Sequence, residues 1–166
     1  MLCGSPTTSP RVVFPICRTS GSSTFERNCS MDRVFVDSDV ILDLFIARPP
    51  FHEDALRFFS RIKRSRTAAF TSPLIIANVH YVLSRVRSPA YALSKIRAVR
   101  EILSIAPITE EILDAAMATP HRDFEDGIQY QCAVANRSDI FVTRNVKHFP
   151  AQPLSVVEPE AYLLGV

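Results

Sequence analysis

From Met31 onward, short runs of β-branched and aromatic residues alternate with longer segments whose apolar residues recur at helical spacing. The clearest apolar runs are 33–36, 68–71 and 140–143. Strands joined by helices run parallel, and a parallel sheet needs helices on both of its faces. The pattern therefore predicts an α/β fold, a three-layer α/β/α sandwich around a central, mainly parallel sheet of about five strands.

Capping residues and prolines set the predicted helix boundaries. Ser72-Pro73 and Ser88-Pro89 each place a capping hydroxyl before a proline at the first helical position, and Asp39 and Asp123 are the expected caps of two other helices. The predicted strands are 33–36, 68–71, 104–107, 140–143 and 155–157. The predicted helices are 40–47, 52–66, 73–87, 89–103, 124–136 and 160–164, with one more opening at Thr109.

The amino-terminal segment differs from the rest of the chain. Residues 1–30 are rich in Ser, Thr and Pro, show no apolar periodicity and contain three arginines against Glu26, so the net charge of +2 belongs to this segment. We expect residues 1–30 to be a disordered leader or upstream sequence translated from a mis-assigned start, with a targeting peptide as the third interpretation. Residues 31–166 are expected to form a single domain.

Composition excludes several classes of protein. The longest apolar runs fall far short of the ~18 residues that span a bilayer, which excludes a membrane protein. A domain of balanced charge does not capture nucleic acid by bulk electrostatics, although a local basic groove beside an acidic site still can. Cys132 is the only cysteine after residue 30, which fits a reducing cytoplasm, and its apolar neighbours predict a buried structural thiol.

Polar residues follow directly on three of the predicted strands. Asp37 and Ser72 come just after a strand, and the run Thr143-Arg144-Asn145 begins at the last residue of one, where ligands bind in parallel sheets. A carboxylate at such a position is either a hard oxygen ligand for Mg²⁺ or Mn²⁺ or simply a turn residue. The sequence therefore places a candidate cation site at the carboxyl ends of the strands.

The other acids in these regions have competing interpretations. Asp39 is more simply a helix cap than a ligand. Asp43, one helical turn further on, either joins the site or faces solvent, and the solvent-facing position is expected. Asp123, Glu125 and Asp126 lie within four residues, and capping explains only Asp123. Carboxylates this close repel one another unless a cation or a shared proton lies between them, so this second cluster also indicates a cation site.

Four motifs occur in a fixed order over nearly all of residues 31–166. They are Val34-Phe35-Val36-Asp37-Ser38-Asp39-Val40-Ile41-Leu42-Asp43, Ser72-Pro73 with Tyr81-Val82-Leu83, Asp123-Phe124-Glu125-Asp126 with Gln129, and Val142-Thr143-Arg144-Asn145 with Phe149. In this order they resemble the PIN-domain nucleases, the fold of the toxic ribonuclease in many bacterial toxin–antitoxin pairs. The Phe-Glu-Asp and Thr-Arg-Asn motifs are similar to one PIN subfamily rather than to the best-known toxins.

The resemblance implies a metal-dependent endoribonuclease that cleaves single-stranded RNA or tRNA with water activated on Mg²⁺ or Mn²⁺. It assigns Asp37 and Asp126 as metal ligands, Thr143 as the hydroxyl that orients the first carboxylate, and Ser38 as the small polar residue beside it. Further candidate ligands are Asp123 and Glu125. It also implies a cytoplasmic toxin with a cognate antitoxin protein and a homodimeric state.

Two positions depart from the family pattern. Asn78 stands where most PIN nucleases have a Glu, and Asn145 stands where many have the last Asp. Both keep an oxygen donor and are expected in the catalytic site, but the site loses two negative charges and metal binding should weaken. A degenerate PIN-like module that binds RNA or protein without cleavage is therefore the first alternative.

A haloacid-dehalogenase-type phosphatase is the second alternative. The strand followed by Asp37-Ser38-Asp39 is similar to the Asp-x-Asp motif of that family, in which Asp37 would be the nucleophile and Asp39 the general acid. That family also needs a late lysine beside the phosphate, for which Lys147 is the only candidate, and an acidic pair after a late strand. Here the acids precede the last clear strand, which disfavours this alternative.

The remaining basic and aromatic residues have simpler explanations. Arg61, Arg64 and Arg144 are candidate RNA contacts, although basic helix faces are usually just solvated. The histidines His52, His80, His121 and His148 share no metal-ligand spacing and are expected to be structural or solvent-facing. Phe58, Phe59 and Tyr81 are expected in the core.

Overall fold

A five-stranded parallel sheet forms the centre of the computed structural model, which describes residues 32–65, 67–119, 123–150 and 153–165. The strands are β1 (Arg33–Val36), β2 (Ala68–Thr71), β3 (Ser104–Ile105), β4 (Ile140–Val142) and β5 (Ser155–Val157). The helices are α1 (Ser38–Ile46), α2 (His52–Ser65), α3 (Pro73–Val86), α4 (Pro89–Arg100), α5 (Glu110–Ala118), α6 (Phe124–Ala135) and α7 (Pro159–Leu164), with a short 3-10 helix at Val146–His148.

Strand β1 lies in the middle of the sheet, in the order β3-β2-β1-β4-β5. It pairs in parallel with β2 on one side and β4 on the other, so that Phe35 is level with Phe70 and with Phe141. The rings of Phe35 and Phe141 stack with centroids 5.4 Å apart. The predicted α/β fold with a parallel sheet of about five strands is confirmed.

Helices cover both faces of the sheet. Helices α1 to α4 and α7 contact one another in one group, and α5 packs on α6 in a second. Tyr130 of α6 packs against Phe141 of β4, with centroids 6.2 Å apart, which places the second group on the face formed by Phe35 and Phe141. Val34, Phe35 and Val36 are all fully buried, so both faces of β1 are covered and the three-layer prediction is confirmed.

The capping residues explain where the helices begin. Ser72 Oγ accepts a hydrogen bond from Ile75 N at 3.1 Å, and Ser88 Oγ accepts one from Tyr91 N at 3.2 Å, as predicted. For α1 the predicted cap was wrong. Asp37, not Asp39, is the capping residue, because the strand passes into the helix with no intervening loop and leaves Asp39 in the first turn.

Several smaller predictions can be compared with the structure. Cys132 is buried, and Phe58 and Phe59 belong to the core, as expected. Tyr81 is 62% exposed, so its expected place in the core was wrong; its ring lies beside Arg85, one turn further along α3. Residues 1–30 and His121 lie outside the described residues. Within the described ranges, no helix has the length and apolarity needed to cross a membrane.

Candidate active site

Asp37 occupies the point where β1 ends and α1 begins. Its side chain is 5% exposed, and Oδ1 accepts hydrogen bonds from Ser38 N at 2.6 Å and from Ser38 Oγ at 3.2 Å. Its other oxygen, Oδ2, accepts a hydrogen bond from Thr143 Oγ1 at 2.7 Å. Ser38 and Thr143, the two residues expected to support Asp37, therefore both contact it, and they fix both of its oxygens.

The electrostatic environment of Asp37 disfavours its charge. The pKa of Asp37 is raised from 3.8 to about 6, because burial, with smaller contributions from the nearby carboxylates of Asp39 and Asp126, outweighs the hydrogen bonds from Thr143 and Ser38, which lower the pKa. The repulsion from Asp39 and Asp126 means that Asp37, between β1 and α1, lies near acids of α1 and α6. A bound cation would relieve it.

Asp126 is the second predicted ligand, and it lies in the first turn of α6. Its Oδ2 is 3.1 Å from Nδ1 of His148, and its side chain is about a quarter exposed. Burial raises the pKa of Asp126, and repulsion from Asp123 and Asp39 adds to the effect, whereas His148 opposes it. From the sequence, His148 was predicted to be structural or solvent-facing. In the structure its ring contacts Asp126, a candidate metal ligand.

The two remaining acids of the second cluster have different surroundings. Asp123 is exposed and caps α6, with Oδ1 accepting a hydrogen bond from Glu125 N at 2.8 Å. Glu125 is half-buried and accepts a short hydrogen bond from Nδ2 of Asn78 on α3. Burial raises the pKa of Glu125, with Asp123 and Asp126 adding repulsion. Asn78 therefore contacts the acidic group through Glu125.

Asn145 and Arg144 both contact Asp39. Nδ2 of Asn145 donates a hydrogen bond to Oδ2 of Asp39 at 2.6 Å, and Nη2 of Arg144 lies 3.3 Å from the same oxygen. The backbone N–H of Asn145 donates to Thr143 Oγ1 at 3.0 Å. The Thr143-Arg144-Asn145 run after β4 is thus joined to the start of α1 by contacts from each of its three residues.

Asp43 was expected to face solvent, and this prediction was wrong. Its side chain is 1% exposed, with Oδ2 at 3.2 Å from Nε of Arg144 and Oδ1 at 3.8 Å from Nε of Arg48. Burial raises the pKa of Asp43, while Arg144 and Arg48 lower it. Asp39 and Asp43 lie one helical turn apart on the same face of α1, which is why one guanidinium reaches both.

A further hydrogen bond connects the start of α3, just after β2, with the middle of α6. Ser72 Oγ donates a hydrogen bond to Oε1 of Gln129 at 2.6 Å, and both side chains are almost completely buried. Gln129 lies one turn beyond Glu125 on α6, so this bond fixes α6 against the start of α3. Ser72 and Gln129 therefore hold the α6 acids beside Asp37.

The donor set fits a small divalent cation. Asp37 and Asp126 offer carboxylate oxygens, and Mg²⁺ is commonly held by one or two carboxylates together with water and substrate phosphate. Across the four described ranges, no three His, Cys, Asp or Glu side chains converge as a ready-made metal cage. Two carboxylates match the share of ligands that a protein commonly supplies to Mg²⁺.

The three arginines named from sequence lie in two different places. Arg61 lies at the amino ends of the strands, beside Asp139 and Ser155, and its Nη1 donates to the carbonyl oxygen of Leu163 at 2.7 Å. Arg64 lines an apolar groove with Arg61 on the exposed side of α2. RNA contact at Arg61 and Arg64 stays a prediction, for a surface at the opposite end of the sheet from the acids.

Arg144 lies at the acidic end of the sheet. It lines a groove of about 590 Å³ together with Asn145, Lys147 and His148. The groove reaches the acids through Asn145 on Asp39 and His148 on Asp126.

Sequence reasoning missed His148, Asp43 and the role of Arg144. Two signals in the sequence pointed toward them. Asp39 and Asp43 share one face of a helix, and Arg144 is adjacent to Asn145, which was already a candidate site residue. The pairing of His148 with Asp126 had no local signal, because it depends on how the segment after β4 passes the start of α6.

Comparisons with known proteins bear on the fold. Residues 33–147 match the PIN domain family, whereas no curated protein sequence matches this chain significantly. VapBC2 from Rickettsia felis, bound to a DNA fragment from its promoter, superposes with a TM-score of 0.56 at 15% identity, over 75% of this chain and 97% of that chain. A toxin–antitoxin complex from Klebsiella pneumoniae gives a TM-score of 0.55 at 21% identity, over 76% and 97%.

A third structure has a stated activity. VapC20 from Mycobacterium tuberculosis, a toxin that cleaves the sarcin-ricin loop, gives a TM-score of 0.53 at 16% identity, over 72% of this chain and 91% of that chain. At identities this low, the likeness to solved structures shows a shared fold. The family match spans most of the chain and contains all of β1 to β4 together with the candidate acids. The chain belongs to the PIN domain family.

Proposed function

We propose that the chain is a metal-dependent endoribonuclease that cleaves single-stranded RNA or tRNA and acts as the toxin of a toxin–antitoxin pair. The observation that carries the proposal is the buried Asp37 carboxylate at the carboxyl end of β1, held by Thr143 and Ser38 and near enough to Asp126 for the two charges to repel. Two acids held this firmly beside an open groove suit the binding of a cation and a phosphodiester.

Each residue of the site then has a definite task. Thr143 and Ser38 keep Asp37 in one orientation, and His148 does the same for Asp126. Mg²⁺ or Mn²⁺ bound by Asp37 and Asp126 would stabilise negative charge on the scissile phosphate and lower the pKa of a water molecule. Asn78 and Asn145 hold the neighbouring acids, which are Glu125 and Asp39.

The structural neighbours support an antitoxin as the proposed partner, whereas the proposed homodimer rests on the resemblance to PIN-domain nucleases. The complexes from Rickettsia felis and Klebsiella pneumoniae are toxin–antitoxin assemblies with the same fold. We propose a cognate antitoxin protein and a homodimer for this chain, acting on RNA in the cytoplasm. Induced expression of the chain should arrest bacterial growth, and expression of the Asp37→Asn variant should not.

Cleavage of RNA by the purified full chain tests the proposed activity. We expect cleavage of a labelled single-stranded RNA in Mn²⁺ or Mg²⁺, its loss in EDTA, and its loss in the variants Asp37→Asn and Asp126→Asn. The matched control is Asp114→Asn, which removes an exposed carboxylate on α5 and should leave cleavage unchanged. Equal cleavage by the parent and both site variants would refute the assignment of these acids.

A module that binds RNA or protein without cleavage is the second candidate function. The observation in its favour is that the side-chain amides of Asn78 and Asn145 donate hydrogen bonds to two of the acids, Glu125 and Asp39. Tight RNA binding with no cleavage under any divalent cation would establish this function instead. The match to the PIN domain family disfavours the phosphatase alternative. We therefore expect the parent protein to leave p-nitrophenyl phosphate intact.

A further inference from the structure

Asp39 lies between the candidate metal ligands and a buried ion pair. It lies two residues after Asp37, in the first turn of the helix that Asp37 caps, and its charge is one of those that raise the pKa values of Asp37 and Asp126. Its Oδ2 is 3.3 Å from Nη2 of Arg144 and accepts the hydrogen bond from Asn145. Asp39 is therefore the acid for which a metal ion and an arginine of the chain would compete.

Arg144 is firmly held in this position. Its side chain is 17% exposed, its Nε lies 3.2 Å from Oδ2 of Asp43, and its guanidinium lies over the ring of Phe51, 4.6 Å from the centroid. Because Asp43 is 1% exposed, loss of Arg144 would leave a buried carboxylate with only Arg48, at 3.8 Å, as its partner. Arg144 is thus fixed on one side by Asp43 while it binds Asp39 on the other.

We propose that Arg144 is a positioning residue of the metal site, whose guanidinium holds Asp39 in an ion pair and thereby keeps this carboxylate out of the set of metal ligands. The inference rests on the proposed function. It assigns the cation to Asp37 and Asp126 alone, and it gives the arginine of the Thr143-Arg144-Asn145 run a role other than direct contact with RNA.

A double-mutant cycle on metal affinity tests this role without RNA. All variants carry Asp43→Asn, so that removing Arg144 leaves no orphaned carboxylate in the core. The set comprises this reference, the reference with Arg144→Gln, the reference with Asp39→Asn, and the reference with both changes. The Mn²⁺ affinity of each full-length variant is measured by isothermal titration calorimetry at pH 7.5.

Release of Asp39 should convert it into a ligand. We expect Arg144→Gln to tighten Mn²⁺ binding, and we expect Asp39→Asn to cost at least about tenfold more affinity in the Arg144→Gln background than in the reference. Charge alone predicts an equal cost in both backgrounds, because each substitution then changes the potential independently. An equal cost, or weaker binding on Arg144→Gln, overturns the proposal.

Two further measurements keep the test decisive. Arg144→Met, whose apolar chain can still pack on Phe51, replaces Arg144→Gln if the latter fails to fold, and the same coupling is expected. Asp37→Asn in the reference should abolish Mn²⁺ binding. If the reference binds no Mn²⁺, or binds it independently of Asp37, the proposed metal site fails together with the inference. If binding depends on Asp37 and the coupling is absent, only the role of Arg144 fails.

Discussion

The hydroxyl of Thr143 donates a hydrogen bond to Oδ2 of Asp37 at 2.7 Å, between residues 106 positions apart in the chain. Both side chains are buried, and the same hydroxyl accepts a hydrogen bond from Asn145 N. The two neighbouring strands β1 and β4 thus place one donor and one carboxylate at the same level of the sheet. The orientation of Asp37 depends on this contact.

Replacing Thr143 by Val removes the hydroxyl and keeps the shape of the side chain. We expect Thr143→Val to lose most of the RNA cleavage and to lower the free energy of unfolding by about 1–3 kcal/mol, because a buried carboxylate loses a donor. Thr143→Ser keeps the donor and should keep the cleavage. Gel-based cleavage and urea unfolding measure the two effects. Parent-like cleavage by the Val variant would show that Asp37 needs no such orientation.

The raised pKa of Asp37 predicts a specific dependence of stability on pH. In the unfolded chain Asp37 loses its proton near pH 3.8, but in the folded chain it does so near pH 6, so the folded state binds more protons between these values. This group therefore makes the parent less stable as pH rises from about 4 to about 6, by up to roughly 3 kcal/mol.

Asp37→Asn should lack this loss of stability. We expect the unfolding free energy of the variant to increase relative to that of the parent as pH rises from about 4 to about 6. Above about pH 7 the difference between the two should be constant. Urea unfolding of both proteins in EDTA across pH 4 to 8 measures the difference in unfolding free energy. A difference that is flat over the whole range would mean that Asp37 titrates near its ordinary value.

Ser72 and Ser88 form a matched pair of helix caps. Each accepts a hydrogen bond from a backbone N–H at the start of its helix, but only Ser72 also donates to the buried Gln129. We expect Ser88→Ala to cost about 1 kcal/mol of unfolding free energy and Ser72→Ala to cost about 1–3 kcal/mol more, since the Gln129 amide loses its partner. Equal costs in thermal or urea unfolding would indicate that Gln129 finds another partner.

Restoring charge at Asn145 should strengthen metal binding. Asn145→Asp adds a carboxylate beside Asp39, and we expect Mn²⁺ to bind roughly tenfold tighter, or about 1.4 kcal/mol, the scale of one favourable charge at an effective dielectric near 20 reduced by the added repulsion between carboxylates. Asn78→Glu should act in the same direction, less strongly because its longer chain must fit beside Glu125. Ser60→Asp, on the exposed side of α2, controls for net charge alone. Unchanged calorimetric affinity in both variants would place the asparagines outside the site.

The domain boundary inferred from sequence is directly testable. We expect residues 31–166 to unfold within a few degrees of the full chain, because residues 1–30 lack the apolar periodicity of a packed segment. At this size about 1 kcal/mol shifts the unfolding midpoint by a few degrees. A larger fall in Tm on truncation, measured by calorimetry, would mean that the leader packs on the domain.

Features with a local cause were predictable from sequence. Strands β1, β2 and β5 have the bounds read from their β-branched and apolar runs, and Ser72 and Ser88 cap their helices because a serine before a proline has few other roles. The cap of α1 was misplaced because Asp37 both ends the strand and caps the helix. Because Asp37 alone separates the strand from the helix, the sequence has no loop residues that would mark the boundary between β1 and α1.

Features that depend on distant pairing were not predictable. Asp43 looked like a solvent-facing acid because its partner Arg144 is about a hundred positions away, and His148 meets Asp126 only through the fold. The exposure of Tyr81 reflects which face of α3 the sheet covers, which helical spacing alone left open. The sequence thus showed which acids were candidates for the site, but it did not show that Arg144 and His148 pair with them.

The central position of β1 has a consequence for biosynthesis. The ribosome makes this strand first, yet its neighbour β4 and the Thr143 hydroxyl lie more than a hundred residues later. Pairing across such a separation is slow and must wait for the late segment to leave the exit tunnel. A nascent chain therefore carries Asp37 and the acids of α1 without Thr143, Arg144 or His148, so the candidate site cannot be assembled until the last fifth of residues 31–166 has been made.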